Sequence, residues 1–328
     1  ITSKNNSRQT DDSDWLPCGP NYLPEVIYSN SSIPGIARIN CVSFHPSNEN
    51  IFWIGASQGG VWKTTDGGLS WTPLNDGLPV LRISDITIDP IDPDIMYACL
   101  GDFEYNGVAL NLDDRKRHTH YGLGVYKTTD GGLNWSPTGL TVLQEDLDNS
   151  LLRRLLINPN NTSELLAGGF EGIWRSIDGG DSWTNVMADL LISDLEQDPN
   201  NPSTVYAAST YVSTLQDGTA GILKSTDFGQ NWTWQNTGIP ITGAVDRIEL
   251  AIAPSNSQVV YAHAVDLNGG LYGIYRTTNG GANWQQQTDS NTPNIMHWYE
   301  GNGTGGQGSY DLALVVDPLD ENLIYSGG

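Results

Sequence analysis

The chain has 328 residues, 38% of them hydrophobic and 9% aromatic, with 38 acidic against 15 basic side chains and a formal charge of −23. It is long enough to bury a sizeable core, and so acidic a balance excludes nucleic acid as the main partner, because phosphate binding needs a basic footprint. No stretch reads as a membrane span, and 37 Gly and 17 Pro with few helix-period segments predict an all-β fold rich in turns.

In chain order, residues 1 to 14 are polar and expected to fray, and 15 to 37 read as a closing strand and lead-in, since DWLPCGP resembles the SWTPL at 70 to 74. Residues 38 to 74 then spell strand A (RINCVSF), a turn (HPSNEN), strand B (IFWIGA), strand C (GVWKTT), an Asp-containing turn and strand D (SWTPL). The same order returns at 82 to 137, 153 to 186, 192 to 235 and 246 to 287, and a sixth unit runs from 309 to 328 through strand B. A blade without strands C and D has an open edge, so the natural chain is expected to continue; the other reading is a six-bladed ring with a defective last blade.

The turn phrase is TTDGGLSW at 64 to 71, and it recurs as TTDGGLNW, SIDGGDSW, STDFGQNW and TTNGGANW. Asp66, Asp130, Asp178, Asp227 and Asn279 are placed to accept hydrogen bonds from turn N–H groups, the glycines to adopt left-handed backbone, and Trp71, Trp135, Trp183, Trp232 and Trp284 to pack the hairpin on its neighbours. Repeats of this period with four strands each predict a β-propeller, with five complete blades and a partial sixth. In that order the A to B and C to D turns share one face. The insertions at 101 to 124, 210 to 221, 264 to 273 and 288 to 308 share the other, which is the expected functional face.

The repeated [Ser/Thr]-x-Asp-x-Gly-x-x-Trp resembles the Asp-box, or BNR, repeat of sialidases, sortilin-like receptors and xyloglucan-active glycoside hydrolases. WLPCGP, GIARINCVSFHP, GGVWKTTDGG and GQGSYDLALVVDP are similar to phrases in large secreted Bacteroidetes proteins with sortilin-like propellers and a type IX secretion signal. The resemblance covers 15 to 328 and implies a propeller in a secreted or cell-surface protein.

Arginines stand near the starts of the A strands at Arg38, Arg82, Arg153, Arg154 and Arg247. A sialidase would use three of them to clamp a carboxylate. Asp85, Asp194, Asp246 and Asp311 fall at nearly the same positions, so a ring of opposite charges pairing unit with unit accounts for both sets. Arg38, Arg82, Arg154, Arg247 and Asp311 are the candidate binding residues at the channel mouth. Tyr105, His120 and Tyr121 are binding candidates in the first insertion, which reads as a solvated, self-neutralising loop with partner docking second; in the last, Trp298 and Tyr299 add aromatic faces that can stack on a sugar ring or anchor a peptide. The xyloglucan-active family implies a catalytic Asp at the position that Ser57 occupies here, and a serine cannot serve as the general base.

The function expected from these residues is a non-catalytic binding or adhesion module for carbohydrate or protein, within a larger surface assembly and without membrane insertion. The second reading is a glycoside hydrolase with Asp102, Glu104 or Glu300 supplying carboxylates; the third is a purely structural module. No metal site and no cofactor is expected, calcium being the one ion left open by the acidity. Cys41 and Cys99, in apolar strand-like stretches, read as buried thiols.

Overall fold

The computed structural model describes residues 38–74, 77–102, 122–141, 151–210, 220–239, 245–288, 292–297, 301 and 303–327, together with the backbone of an antiparallel hairpin, β1 (Glu25–Tyr28) and β2 (Ser31–Pro34). The predicted strand at 15 to 20, and Glu104, Tyr105, His120, Tyr121, Trp298, Tyr299 and Glu300, lie outside the described residues.

There is no helix among the described residues, and the strands form five four-stranded antiparallel sheets in sequence order. The first holds β3 (Ile39–His45), β4 (Asn48–Ala56), β5 (Gly60–Thr64) and β6 (Thr72–Pro73). The second holds β7 (Ile83–Ile88), β8 (Met96–Leu100), β9 (Gly124–Thr128) and β10 (Ser136–Thr141). The third holds β11 (Leu152–Ile157), β12 (Leu165–Gly169), β13 (Gly172–Ser176) and β14 (Thr184–Met187). The fourth holds β15 (Leu191–Gln197), β16 (Val205–Thr210), β17 (Gly221–Ser225) and β18 (Thr233–Trp234). The fifth holds β19 (Val245–Ile252), β20 (Val260–Asp266), β21 (Leu271–Thr277) and β22 (Gln285–Gln286). A two-stranded sheet of β23 (Ala313–Val316) and β24 (Ile324–Gly327) follows. The first strand of each sheet touches the first strand of the next, from β3 through β7, β11, β15 and β19 to β23, so the sheets succeed one another as propeller blades do.

The core lies between sheets. Successive side chains on a strand point to opposite faces, so a strand covered on both sides is apolar throughout. Leu165 and Leu166 show this: the first packs with Tyr97 and Val125 of the second sheet, the second with Ile192 and Leu223 of the fourth. Cys41 and Cys99 are buried free thiols, and burial raises the pKa of both.

The turn phrase has a different centre from the one its composition suggests. The buried hub is the Ser or Thr that opens it: Thr64, Thr128, Ser176, Ser225 and Thr277 are each 1% exposed, while Asp66 and Asp178 lie at the surface. The Thr64 hydroxyl donates to Asp66 Oδ1 at 2.8 Å and accepts from the Gly68 N–H at 2.9 Å. Asp66 in turn accepts from the Ser70 N–H at 2.9 Å and the Ser70 hydroxyl at 2.6 Å. The backbone turns left-handed at Gly67 (φ 71°) and Gly68 (φ 92°). Asn279 keeps the bonds from Thr277 (2.8 Å) and the Asn283 N–H (3.0 Å), so it is a working change of acceptor.

The phrase also joins sheets. Lys127 donates to the Gly179 carbonyl at 3.0 Å, Arg175 to the Phe228 carbonyl at 2.9 Å and Lys224 to the Gly280 carbonyl at 2.8 Å. Each is a strand C cation reaching the same turn position in the following sheet. Lys127 and Lys224 also lie over the strand B rings of Tyr97 and Tyr206, 5.3 and 5.0 Å from their centroids. Trp135 and Trp284 bond backward instead, to the carbonyls of Leu74 (3.1 Å) and Gln235 (2.8 Å) in the preceding sheets.

Hydrogen bonds from Ser182 and Ser176 hold the Asp178 carboxyl down at about 2, from an ordinary 3.8. Its contribution is therefore present above pH 3.8 and lost as pH falls through about 2. Asp178→Ala should lower the thermal midpoint by a few degrees at neutral pH, and the deficit should close in acid melts below that range.

Candidate functional site

The A strands converge on a cavity of about 480 Å³ bordered by Arg38, Arg153, Arg154, Glu249, Tyr310 and Asp311, among others. What aims these side chains is a repeated irregularity. A register shift interrupts the A to B pairing at Ile39/Cys41, Ile83/Asp85, Leu152/Arg154, Ile192/Asp194 and Val245/Arg247, the same place in all five sheets. A bulge breaks the strict in-out alternation of a strand. That is how the adjacent residues Arg153 and Arg154 both reach Glu249.

Glu249 is the hub. Arg247 approaches its Oε2 at 2.9 Å, Arg153 the same oxygen at 3.4 Å, and Arg154 its Oε1 at 3.2 Å. Arg154 also pairs with Asp194 at 2.7 Å and lies 3.8 Å from Glu196. Asp194 accepts the Leu250 N–H at 2.8 Å from the next sheet, and Asp85 accepts the Leu155 N–H at 2.8 Å in the same manner. Burial alone would raise the Glu249 carboxyl, yet Arg153, Arg247 and Arg154 outweigh it and hold it down at about 2. Glu196 is the opposite case: burial, then the charge of Asp194, push it up to about 8.

At the rim, Arg38 pairs with Asp102, whose Oδ1 also receives the Asn40 side-chain amide at 3.3 Å. Ser57 donates its N–H to the Arg38 carbonyl at 2.9 Å, so Asp102, reaching over from the second sheet, stands in the same small cluster as position 57. Its side chain is 2% exposed.

Of the sequence candidates, Arg38, Arg154 and Asp311 border one cavity, and Arg247 meets it through Glu249. Arg82 is half-buried at the start of the second sheet, and Asp311 is exposed. The unit-to-unit charge pairing appears in Arg154 with Asp194, but its hub, Glu249, is absent from the sequence reading, as is Glu196. Among the described residues no group of three or more His, Cys, Asp or Glu could hold a metal ion.

No family model matches the chain. It is 25% identical over 289 residues to a xyloglucanase of a Paenibacillus species, covering 79% of this chain and 25% of that protein. The chain is similar to xyloglucanases. A second relative, an oligoxyloglucan-reducing end-specific xyloglucanase of Emericella nidulans, is 24% identical over 302 residues, covering 84% of this chain and 34% of the relative. Among solved structures, the GH74 enzyme of Niastella koreensis matches with a TM-score of 0.63 at 18% identity, covering 88% of this chain and 43% of that one, which bears on the fold alone. The chain thus spans about a quarter to a third of the length of these two relatives.

These likenesses correct the expected function. A non-catalytic adhesion module is overturned, because the relatives found are glycoside hydrolases. The sortilin-like and type IX features of the resemblance find no counterpart in these matches.

Two substitutions test the charged knot. Glu249→Gln leaves three guanidinium groups facing a neutral amide and should cost about 3–5 kcal/mol in urea unfolding. Because the folded Glu196 pKa is raised, the cost of ionising it grows from pH 4.5 to about 8. Glu196→Gln should therefore gain thermal midpoint relative to wild type as pH rises through that window, and hold steady against it below.

Proposed function

We propose that this chain is the propeller part of a secreted or cell-surface glycoside hydrolase that acts on xyloglucan or a closely related β-glucan. The observation that carries the reading is the alignment with xyloglucanases over 79% and 84% of the chain in two relatives. The site chemistry supports it at one point. Hydrolysis with inversion needs one carboxylate to activate water and a second carboxyl group to protonate the leaving oxygen, about 6.5–9.5 Å apart. Asp102 is the described candidate for the first, oriented by Arg38 and Asn40 beside the serine that replaces the family's aspartate. Glu104 and Glu300 are the candidates for the second. The buried knot around Glu249 is not part of the reaction: its carboxylate is saturated by three arginines and too acidic to exchange a proton in the neutral range.

Incubation of the purified protein with xyloglucan should release reducing ends, and product sizing should show cleavage of the glucan backbone. Asp102→Asn should lower kcat by about 10²–10⁴-fold, the range for loss of an acid or base group, when assayed well below the variant's own thermal midpoint, which should fall because Arg38 loses its buried partner. Absence of turnover on xyloglucan and on unsubstituted β-glucans would overturn the proposal; full activity in the variant would remove Asp102 from it.

A further inference from the structure

One strand B position shows how closely each large sheet meets the sheet after it. It lies three residues beyond the partner of the buried Ser or Thr hub, and in the first four sheets it holds Gly55, Cys99, Gly168 and Ala208. A Cβ added at Gly55 would come within 2.6 Å of Ile83 in the second sheet, and one added at Gly168 within 2.8 Å of Ile192 in the fourth. The fifth sheet places His263 there, 0% exposed, between Glu249 of β19 and Ile274 of β21 in the cross-strand register. A titratable ring thus occupies a position where the other sheets carry nothing larger than a thiol.

The surroundings of the ring decide which nitrogen carries the proton. Nδ1 lies 2.9 Å from the Ser326 hydroxyl of β24, and that hydroxyl donates its one hydrogen to the Ala313 carbonyl at 3.2 Å. The hydrogen between His263 and Ser326 therefore belongs to Nδ1, and Nε2 keeps a bare lone pair. Nε2 is buried, with no hydrogen-bond partner among the described residues. A second proton would create an N–H there with nothing to accept it. The charges that face the ring are Glu249 and Arg247 of β19, and three arginines already hold the Glu249 carboxylate. Arg276 of β21 is turned to Glu321 and Asn322, and β23 and β24 carry no charged residue. Burial outweighs the pull of Glu249 and, with Arg247, holds the imidazole down at about 4 from an ordinary 6.5.

We propose that His263 is an acid-operated catch between the fifth sheet and β23–β24. The neutral ring closes the contact by donating to Ser326; the protonated ring opens it, because only release of β23–β24 lets water reach the new N–H at Nε2. Two other bonds cross the same contact, Arg247 to the Leu312 carbonyl at 3.0 Å and the Tyr261 hydroxyl to the Glu321 carbonyl at 3.0 Å. Both end on backbone carbonyls, which undergo no protonation change of their own, so His263 is the group through which acid acts. Leu312, Ala313, Leu314 and Gly327 border the cavity that Arg153, Arg154 and Glu249 also line, so release of β23–β24 opens that cavity from one side. The sign follows from the depressed pKa: the docked state takes up the second proton less readily than the released one. Docking is therefore fully favoured above pH 6.5 and is lost progressively as pH falls towards about 4.

Hydrogen–deuterium exchange, corrected for the intrinsic pH dependence of amide exchange, reads the docking directly. Between pH 6.5 and about 4 the corrected exchange of Ala313–Val316 and Ile324–Gly327 should rise by up to about tenfold per pH unit, the limit for one proton, while β11 to β13 of the third sheet stay unchanged. His263→Asn keeps an N–H at the Nδ1 position and cannot titrate, so it should hold the neutral-pH protection of β23–β24 across the same window. Protection of β23–β24 that does not change with pH in the wild type, or an acid-driven loss that His263→Asn retains, overturns the proposal. Nitrogen NMR of the histidine-labelled wild type supplies a readout that needs no variant. His263 should show a protonated Nδ1 and a bare Nε2 at pH 7, and the opposite tautomer or a charged ring at that pH overturns the proposal as well. Neither measurement involves a carbohydrate, so failure here is distinct from failure of the xyloglucanase reading.

Discussion

A four-stranded sheet with apolar side chains on both faces cannot be stable alone, and the packing of each sheet on its neighbours is the constraint from which the rest of this molecule follows. It explains why strand B is apolar without alternation, as in Met96–Leu100, whose five residues are all buried. It also explains where polar chemistry is tolerated. Between sheets it takes the form of directed bonds, among them those of a tyrosine hydroxyl and a strand C cation to a carbonyl on the next turn phrase. The turn thus serves two levels at once. Within a sheet its buried Ser or Thr ties the hairpin together; between sheets the carbonyl at its fourth position gives the previous strand C a fixed place to dock.

Where the first strands converge no further sheet covers them among the described residues, and the fold places charge there. Three arginines on one glutamate would be costly to bury if any were left over, since an unpaired buried charge costs several kcal/mol. The arrangement avoids this by drawing its members from β11, β15 and β19, so that Arg153, Arg154, Asp194, Arg247 and Glu249 meet only when three sheets are in register. The knot is weak evidence for net stability and better evidence for specificity of assembly: a sheet set one residue out of register would strand a guanidinium in the interior.

Much of this was legible in the sequence, for identifiable reasons. Five turn phrases at similar spacing fix strand order, because the chain between them is too short for anything but a meander. The phrase did not reveal its own hub: Ser and Thr look interchangeable with surface residues in composition, and only burial shows that Thr64 or Ser176 organises the turn. The bulges were invisible for a similar reason. One extra residue in an A strand leaves no mark on its apolar pattern, yet it turns Arg153 and Arg154 toward a common partner, and without it Glu249 cannot be found as that partner. Asp102 was legible as a carboxylate in an insertion, but its neighbour Ser57 belongs to another sheet, and no spacing along the chain joins them.

The functional expectation failed for a related reason. A serine at position 57 argues against hydrolysis only if catalytic groups must stay at fixed positions along the chain. In a stack of similar sheets, groups from two neighbouring sheets can gather on one residue between them. Arg38 shows this directly: its carbonyl takes the N–H of Ser57 in its own sheet, while its guanidinium holds Asp102 from the next. A carboxylate missing from one sheet can therefore be supplied by the neighbour, and the repeat that makes the fold easy to read is the same feature that makes a site hard to place by motif alone.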